Sequence, residues 1–306
     1  MQESAADFGG ASRSFRVAIG IATSGRRETL HAVLPHLSRQ CRQPDEVIIC
    51  AADESDIDPA MLDGGGMTIR ALFSERGLCR QRNQILRAAS NADIVLFLDD
   101  DFLMAPSYLA RMEQVFRADP SIVMCTGTVM ADGITGPGLA MKDALAVLDR
   151  QTEPAQTEIT PIYNSYGCNM AVRMGPVRAH NLAFDENLPL YGWLEDVDFS
   201  RQMARYGKIV RSANLIGVHL GTKSGRTSGL RFGYSQIANP IYLVRKKTMS
   251  LRHAAVQVAR NLAANTAKLA APEPWVDRRG RFHGNLRALG DLARGRLAPQ
   301  NILSLK

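Results

Sequence analysis

Long apolar runs are missing from this 306-residue sequence. The longest, such as residues 94–98, are far shorter than the ~20 apolar residues that a helix needs to cross a bilayer. The first fourteen residues are small, polar and partly acidic, without the apolar segment of a secretory signal. The sequence therefore predicts a cytoplasmic protein with no membrane-spanning segment and a flexible tail over residues 1–14.

Cysteine is scarce and has no paired spacing. The chain has five cysteines, namely Cys41, Cys50, Cys79, Cys125 and Cys168. Their number is odd and no C-x-x-C pair occurs, which argues against a disulfide framework and against a zinc site. We expect reduced, mostly buried thiols.

Acidic residues are depleted near the C-terminus. Residues 241–306 contain thirteen Lys/Arg against three Asp/Glu, whereas residues 1–240 contain 24 against 27. This distribution predicts a local anionic partner and no nucleic acid, because no basic motif with interleaved aromatics is present. Two interpretations remain for the leucines among these arginines, at positions 262, 269, 286, 289 and 292. They form either amphipathic helices on an anionic membrane, as a peripheral contact, or helices packed on the rest of the chain.

Strand-like and helix-like segments alternate through the first half of the chain. Buried-strand patterns cover residues 15–21, 46–50, 68–73, 93–98 and 121–127, and helical periodicity covers 30–37, 78–89 and the segment after Pro106. The alternation predicts an α/β fold with a mostly parallel sheet flanked by helices, followed by a C-terminal helical extension. Ligands of such sheets bind at the carboxyl ends of the strands, which places 23–26, 53–55 and 99–101 on one rim.

Three consecutive carboxylates follow the clearest strand. Asp99 and Asp101 should point to one side and Asp100 to the other, because side chains alternate along a strand. Adjacent carboxylates repel one another unless solvent or a cation neutralises them, and Mg²⁺ or Mn²⁺ would also bind a diphosphate. A solvated acidic turn that caps the next helix is the alternative.

Several segments resemble glycosyltransferase family 2, whose members have the GT-A fold. Residues 94–101 resemble the D-x-D strand of the family, and 17–27 its first strand and T-x-x-R turn, with Gly25 where Asn is more usual. Residues 80–83 resemble its Q-R-N segment, 166–173 its acceptor-side strand and 193–199 its E-D-x-D helix. These segments follow in the family's order over about residues 15–220. The turn at 50–55 departs from the family's D-D-G-S pattern, so Asp53 would have to take over the nucleobase contact.

The resemblance implies an inverting glycosyltransferase that uses a nucleotide-diphosphate sugar and a divalent metal, Mn²⁺ or Mg²⁺. Asp196 would be the catalytic base, with Glu195 as second choice, and Asp99, Asp101 and His219 would hold the metal. The donor would be bound by Thr23, Arg26, Asp53, Arg82 and Asp99, while Lys223 and Arg226 would close over the diphosphate. Each residue also has a purely structural interpretation: a helix cap for the acidic pair, a structural histidine, or solvated surface cations.

The acceptor implied is a hydroxyl of a glycan, a lipid-linked molecule or another acceptor, in the synthesis of a surface polysaccharide or glycoconjugate. We expect a catalytic domain over residues 15–235, with a nucleotide-binding half (15–128) and an acceptor half (129–235), and a basic extension over 236–306. A sugar nucleotidyltransferase is an alternative, but residues 23–26 are too short and poor in glycine for its phosphate loop. A non-catalytic nucleotide-sugar-binding module is another, against which intact Asp101 and Asp196 argue.

Overall fold

The computed structural model describes residues 14–63, 66–151 and 158–305. The predicted tail therefore lies, except for Ser14, outside the described residues. The strands are β1 (Val17–Thr23), β2 (Glu46–Ala51), β3 (Ile69–Phe73), β4 (Ile94–Asp99), β5 (Phe102–Met104), β6 (Ile122–Asp132), β7 (Ile159–Pro161), β8 (Asn169–Arg173) and β9 (Lys208–His219). The helices are α1 (Arg27–Val33), α2 (Leu78–Ala88), α3 (Tyr108–Ala118), α4 (Met141–Asp149), α5 (Met174–His180), α6 (Glu195–Met203), α7 (Gly229–Lys246), α8 (Leu251–Ala267) and α9 (Arg278–Ala293).

The α/β alternation predicted for the first half is confirmed, with two local differences. The first helix is α-helical only to Val33 and continues as a 3₁₀ turn over Leu34–Arg39, where Pro35 supplies no N–H for an α-helical hydrogen bond. Strand β6 continues to Asp132, five residues beyond the predicted end. That extra length carries an acidic residue to the site described below.

The strands form one sheet in the order β3-β2-β1-β4-β8-β6-β9-β5, with β7 paired to β9, over the described residues. The ladders of β1 with β2, β1 with β4 and β2 with β3 are parallel, as the crossover helices require. In the second half, β8 lies antiparallel between β4 and β6, and β6 is parallel to β9. Parallel pairing therefore dominates only the predicted nucleotide-binding half.

Both faces of the sheet are buried. In β1, Val17, Ile19 and Ile21 pack into one apolar cluster, while Ala18 faces the cluster on the opposite side. Gly20 allows α2 to approach closely, because a Cβ at this position would lie 2.6 Å from Ile85 Cγ2. Burial on both faces explains why these strands are almost continuously apolar.

The C-terminal helices pack on the sheet domain and on each other. Helix α7 continues past position 235, and its last residue, Lys246, contacts Asp185 and Asp198 at 2.6 and 2.7 Å. Helix α9 crosses α7 closely at Gly233 and Gly284, where a Cβ would lie 2.1 Å from a backbone oxygen of the facing helix. Leucine and valine side chains on the outer surface of α8 and α9, including Val256 and Leu286, stay half exposed. In the part of the chain that is described, no helix combines the length and the apolarity needed to span a membrane.

Candidate active site

The carboxyl ends of β1, β2 and β4 meet at one edge of the sheet. Thr23 pairs in register with Ala51 of β2, and Ala22 pairs with Asp99 of β4. The first turn, the turn after β2 and the three aspartates therefore share one rim, as predicted from strand order.

The three aspartates separate as the strand alternation predicted. Asp100 accepts a hydrogen bond from Thr23 Oγ1 at 2.7 Å and pairs with Arg26 at 2.9 Å. Asp99 and Asp101 turn instead towards His219 at the end of β9. Asp100 thus holds the β1 turn in place through its hydrogen bond with Thr23 and its ion pair with Arg26.

Asp99, Asp101 and His219 form a compact ligand set. One donor atom from each lies within 4.8 Å of the others. His219 Nε2 is 3.1 Å from Asp101 Oδ1 and 3.8 Å from Asp99 Oδ2. Asp101 Oδ1 is buried and has no hydrogen bond of proper geometry, although its other oxygen accepts from the Thr222 N–H at 2.7 Å. An orphaned carboxylate oxygen facing an imidazole nitrogen fits a divalent cation between them.

The charges in this cluster are strongly coupled. Burial lowers the pKa of His219, but the nearby carboxylates Asp101 and Asp132 outweigh burial and raise it to about 10. Burial raises the pKa of Asp101, yet His219 and Arg26 lower it to about 2. At neutral pH Asp101 is therefore a carboxylate and His219 a cation, so a divalent ion would displace a proton from the imidazole as it binds.

Asp132 is a site residue that sequence reasoning missed. Its Oδ1 lies 2.9 Å from His219 Nδ1, and its Oδ2 accepts a 2.8 Å hydrogen bond from the Tyr166 hydroxyl. Asp132 faces His219 because the two residues pair in register between β6 and β9. The sequence held no signal for this contact, since β6 was predicted to end at residue 127.

The acidic pair at the start of α6 faces the same rim. Leu194, which precedes the helix, has φ +73°, and Leu190 has φ +59°, so the loop before α6 is strained. Asp196 is half-buried; its Oδ1 accepts from its neighbour's N–H and its Oδ2 from the Gly167 N–H at 3.2 Å. Glu195 is buried, and a Cβ at Gly167 would lie 3.0 Å from Glu195 Oε1. Gly167 therefore allows the helix start to approach β8.

Arg82 connects this helix with the metal-ligand set. Its side chain is 2% exposed and contacts Glu195 Oε1 at 2.5 Å, Asp99 Oδ1 at 3.3 Å and the Gly167 carbonyl at 2.8 Å. The guanidinium carbon also lies 5.6 Å from the centre of the Phe97 ring and 5.4 Å from that of Phe184. Three protein groups already contact the guanidinium, and the role of Arg82 towards the donor stays a prediction.

The two residues beside Arg82 are also structural. Gln81 donates to the carbonyls of Thr23 and Cys50, at the ends of β1 and β2. Asn83 exchanges two hydrogen bonds with the backbone of Phe184. Gln81 therefore links the ends of β1 and β2, and Asn83 links α2 to the segment at Phe184.

Two aspartates in the turn after β2, Asp53 and Asp56, accept hydrogen bonds from backbone N–H groups. Asp53 is exposed, and its side chain accepts from the Ser55 N–H at 2.9 Å. Asp56, which sequence reasoning missed, is buried and accepts from Gly25 N at 2.5 Å and Asp53 N at 3.1 Å. Asp56 thus joins the β1 and β2 turns, while the role of Asp53 towards a nucleobase stays a prediction.

The loop after β9 lies across the rim. Arg26 donates to the carbonyls of Thr222 and Ser224, which ties the loop to the first turn. Lys223 Nζ contacts the carbonyls of Gly133 and Ile134. Arg226 contacts the carbonyls of Gly221 and Thr222. Neither cation has a carboxylate partner among the described residues, so their positive charge remains available to an anion.

All five cysteines are free thiols, and Cys41 alone is exposed. The expectation of reduced and mostly buried cysteines is confirmed.

Comparison with known proteins agrees with this architecture. The sequence profile of Glycosyl transferase family 2 matches residues 18–180, which is more than half of the chain. A sequence search of curated proteins gives no match.

Solved structures of two proteins have a similar fold. The mannosyltransferase PcManGT from Pyrobaculum calidifontis, in complex with GDP-Man and Mn²⁺, is 16% identical at a TM-score of 0.55, covering 95% of this chain and 86% of that one. TarS 1-349 from S. aureus, in complex with UDP-GlcNAc, is 14% identical at a TM-score of 0.56, covering 95% and 83%. Against the longer TarS chain, at 15% identity and a TM-score of 0.53, the match covers 85% of this chain but only 44% of TarS.

Identities this low support a shared fold, whereas the profile match establishes the family. The chain therefore belongs to glycosyl transferase family 2 and is a glycosyltransferase with a GT-A fold.

Proposed function

We propose that this protein is an inverting glycosyltransferase that moves a sugar from a nucleotide-diphosphate donor to an acceptor hydroxyl. The observation that carries the proposal is the Asp99–Asp101–His219 cluster on the same rim as Asp196. One end of the rim thus suits a metal-bound diphosphate, and the other offers a carboxylate to the acceptor.

Asp196 is the better candidate for the base of the acid pair. Glu195 is buried and occupied by Arg82, whereas Asp196 is half-buried and makes only backbone hydrogen bonds. Burial raises the pKa of Asp196, which strengthens it as a proton acceptor. In the proposed reaction its carboxylate takes the proton of the acceptor hydroxyl, whose oxygen attacks the anomeric carbon while the bond to the diphosphate breaks. Attack opposite the leaving group inverts that carbon.

Asp99, Asp101 and His219 would hold the metal, and a bound divalent ion would neutralise the negative charge of the diphosphate. Asp132 would accept a hydrogen bond from His219 Nδ1–H, which leaves Nε2 free to face the ion. An imidazole beside two carboxylates favours Mn²⁺ over Mg²⁺. Lys223 and Arg226 would exchange their backbone contacts for the diphosphate when the loop rearranges.

The finer assignments are proposals of the same kind. The neighbouring structures were solved with UDP-GlcNAc, UDP and GDP-Man, which supports a nucleotide-sugar donor here. A glycan or lipid-linked acceptor, a role in surface polysaccharide or glycoconjugate synthesis, and a cytoplasmic location follow from the family resemblance and the sequence. The division into a catalytic domain (15–235) and a basic extension (236–306) that contacts an anionic membrane also stays a prediction.

A donor panel tests the reaction. The wild type is incubated with Mn²⁺, candidate acceptors and each nucleotide sugar, and nucleotide release is measured. We expect release with one donor class and a loss of at least 100-fold in Asp101→Ala and Asp196→Asn. Asp143→Asn, at an exposed carboxylate in the first turn of α4, is the matched control and should retain activity. Release that persists undiminished in both site variants contradicts the assignment.

A further inference from the structure

Arg281 on α9 is a cation beside the candidate active site. The described residues place no carboxylate within ion-pair distance of its guanidinium, although Arg278 on the same helix pairs with Glu273 at 2.9 Å. The side chain is half-buried, and its guanidinium carbon lies 4.5 Å from the centre of the Phe232 ring. Burial, and then the charges of Arg278 and Arg226, lower the pKa of Arg281 to about 10. Asp277 and Glu273 raise the pKa of Arg281, but they do not offset burial and the two arginines.

The close crossing of α7 and α9 puts Arg281 in this position. A Cβ at Gly233 would lie 2.1 Å from the Arg281 carbonyl oxygen, and one at Gly284 would lie 2.1 Å from the Leu230 carbonyl oxygen. Only glycine at both positions lets the helices approach this closely. The crossing therefore fixes Arg281 over Phe232, the residue that precedes Gly233.

Phe232 connects Arg281 with the loop that precedes the candidate base. The rings of Tyr191 and Trp193 each lie 5.8 Å from the Phe232 ring. Tyr191 is 47% exposed. The three aromatic side chains thus form a partly open surface on the acceptor side of the rim.

Lys223 and Arg226 lie near this surface and have no carboxylate partner in the part of the chain that is described. Burial first, then Arg226, lowers the pKa of Lys223 to about 8, and Arg281 also contributes. Lys223 and Arg226 donate to backbone carbonyls, as described above. An aromatic surface suits the apolar face of a sugar ring, and a stacked arginine with unused donors suits a phosphate.

We propose that Tyr191, Trp193, Phe232 and Arg281 form an acceptor subsite for a phosphate-bearing sugar. The sugar ring lies on the aromatic side chains, and the phosphate pairs with Arg281. In the proposed function the donor diphosphate is bound through the metal that Asp99, Asp101 and His219 would hold, whereas the aromatic residues adjoin the helix that carries Asp196. This inference rests on the proposed function, because it places the acceptor relative to Asp196.

Calorimetric titration of the full chain tests the subsite. The protein is saturated with Mg²⁺ and with UDP or GDP, whichever the wild type binds, and then titrated with glucose 6-phosphate, glucose or inorganic phosphate. We expect glucose 6-phosphate to bind at least tenfold more tightly than either of the other two. Arg281→Gln should weaken that binding at least fivefold, and Phe232→Leu should also weaken it. Arg281→Lys, which retains the charge, should weaken it less than Arg281→Gln.

Arg279→Gln is the matched control, because Arg279 is exposed on the same helix and should leave the affinity unchanged. The proposal is overturned if glucose or inorganic phosphate binds as tightly as glucose 6-phosphate, or if Arg281→Gln matches the control. A parallel loss of nucleotide affinity in Arg281→Gln would assign Arg281 to the donor instead, and would also overturn it. If the wild type binds neither nucleotide, the proposed function fails. The subsite is then tested separately, by titrating the nucleotide-free protein with glucose 6-phosphate and comparing wild type with Arg281→Gln.

Discussion

Replacing Arg82 by Met is expected to destabilise the protein through the loss of a buried ion pair. Arg82 is 2% exposed, and its contacts with Glu195 at 2.5 Å and Asp99 at 3.3 Å lie in an apolar surrounding that includes Phe97. Met fills a similar volume but leaves Glu195 buried without a cation. Removing one partner of a buried pair costs about 3–5 kcal/mol, because the remaining charge is no longer compensated.

A double-mutant cycle separates this cost from the loss of packing. In Arg82→Met/Glu195→Gln the buried group is a neutral amide, whose unsatisfied hydrogen bonds cost only about 1–3 kcal/mol. The double variant should therefore be more stable than Arg82→Met alone, by roughly 2 kcal/mol. Without coupling, the second substitution would only add its own cost.

The assay is urea unfolding followed by circular dichroism for the wild type, both single variants and the double variant. Strict additivity of the two single changes, or a loss below about 1 kcal/mol in Arg82→Met, would refute the reasoning. Either result would mean that Glu195 is not held as a charged partner of Arg82.

Two further outcomes follow from the structure. Asp132→Asn should weaken Mn²⁺ binding about 10–100-fold in calorimetry, because the imidazole ligand loses the carboxylate that orients it, and an unchanged affinity would exclude that role. Gly233→Ala should lower the free energy of unfolding by at least about 1–3 kcal/mol, since the added methyl meets the α9 backbone. Gly175→Ala, where nothing lies within 4 Å, should leave stability unchanged or raise it by less than about 1 kcal/mol.

Local sequence patterns were sufficient to predict the strands of the nucleotide-binding half and the rim on which they end. Continuous apolar runs form strands that are buried on both faces, and the alternation of side chains assigned Asp99 and Asp101 to one side and Asp100 to the other. These features depend on neighbouring residues, so they can be read along the chain.

Contacts between distant segments required the tertiary structure. Asp132 meets His219 because of the β6–β9 register. Arg82 on α2 pairs with Glu195 at the start of α6, 113 residues later in the sequence. Arg281 contacts Phe232 where the glycines let α7 and α9 cross. Local sequence patterns do not predict strand register or helix crossing, because both are set by packing across the whole domain. The sequence alone therefore determined the strands, the rim and the separation of the three aspartates, whereas the tertiary structure decided which side chains support them.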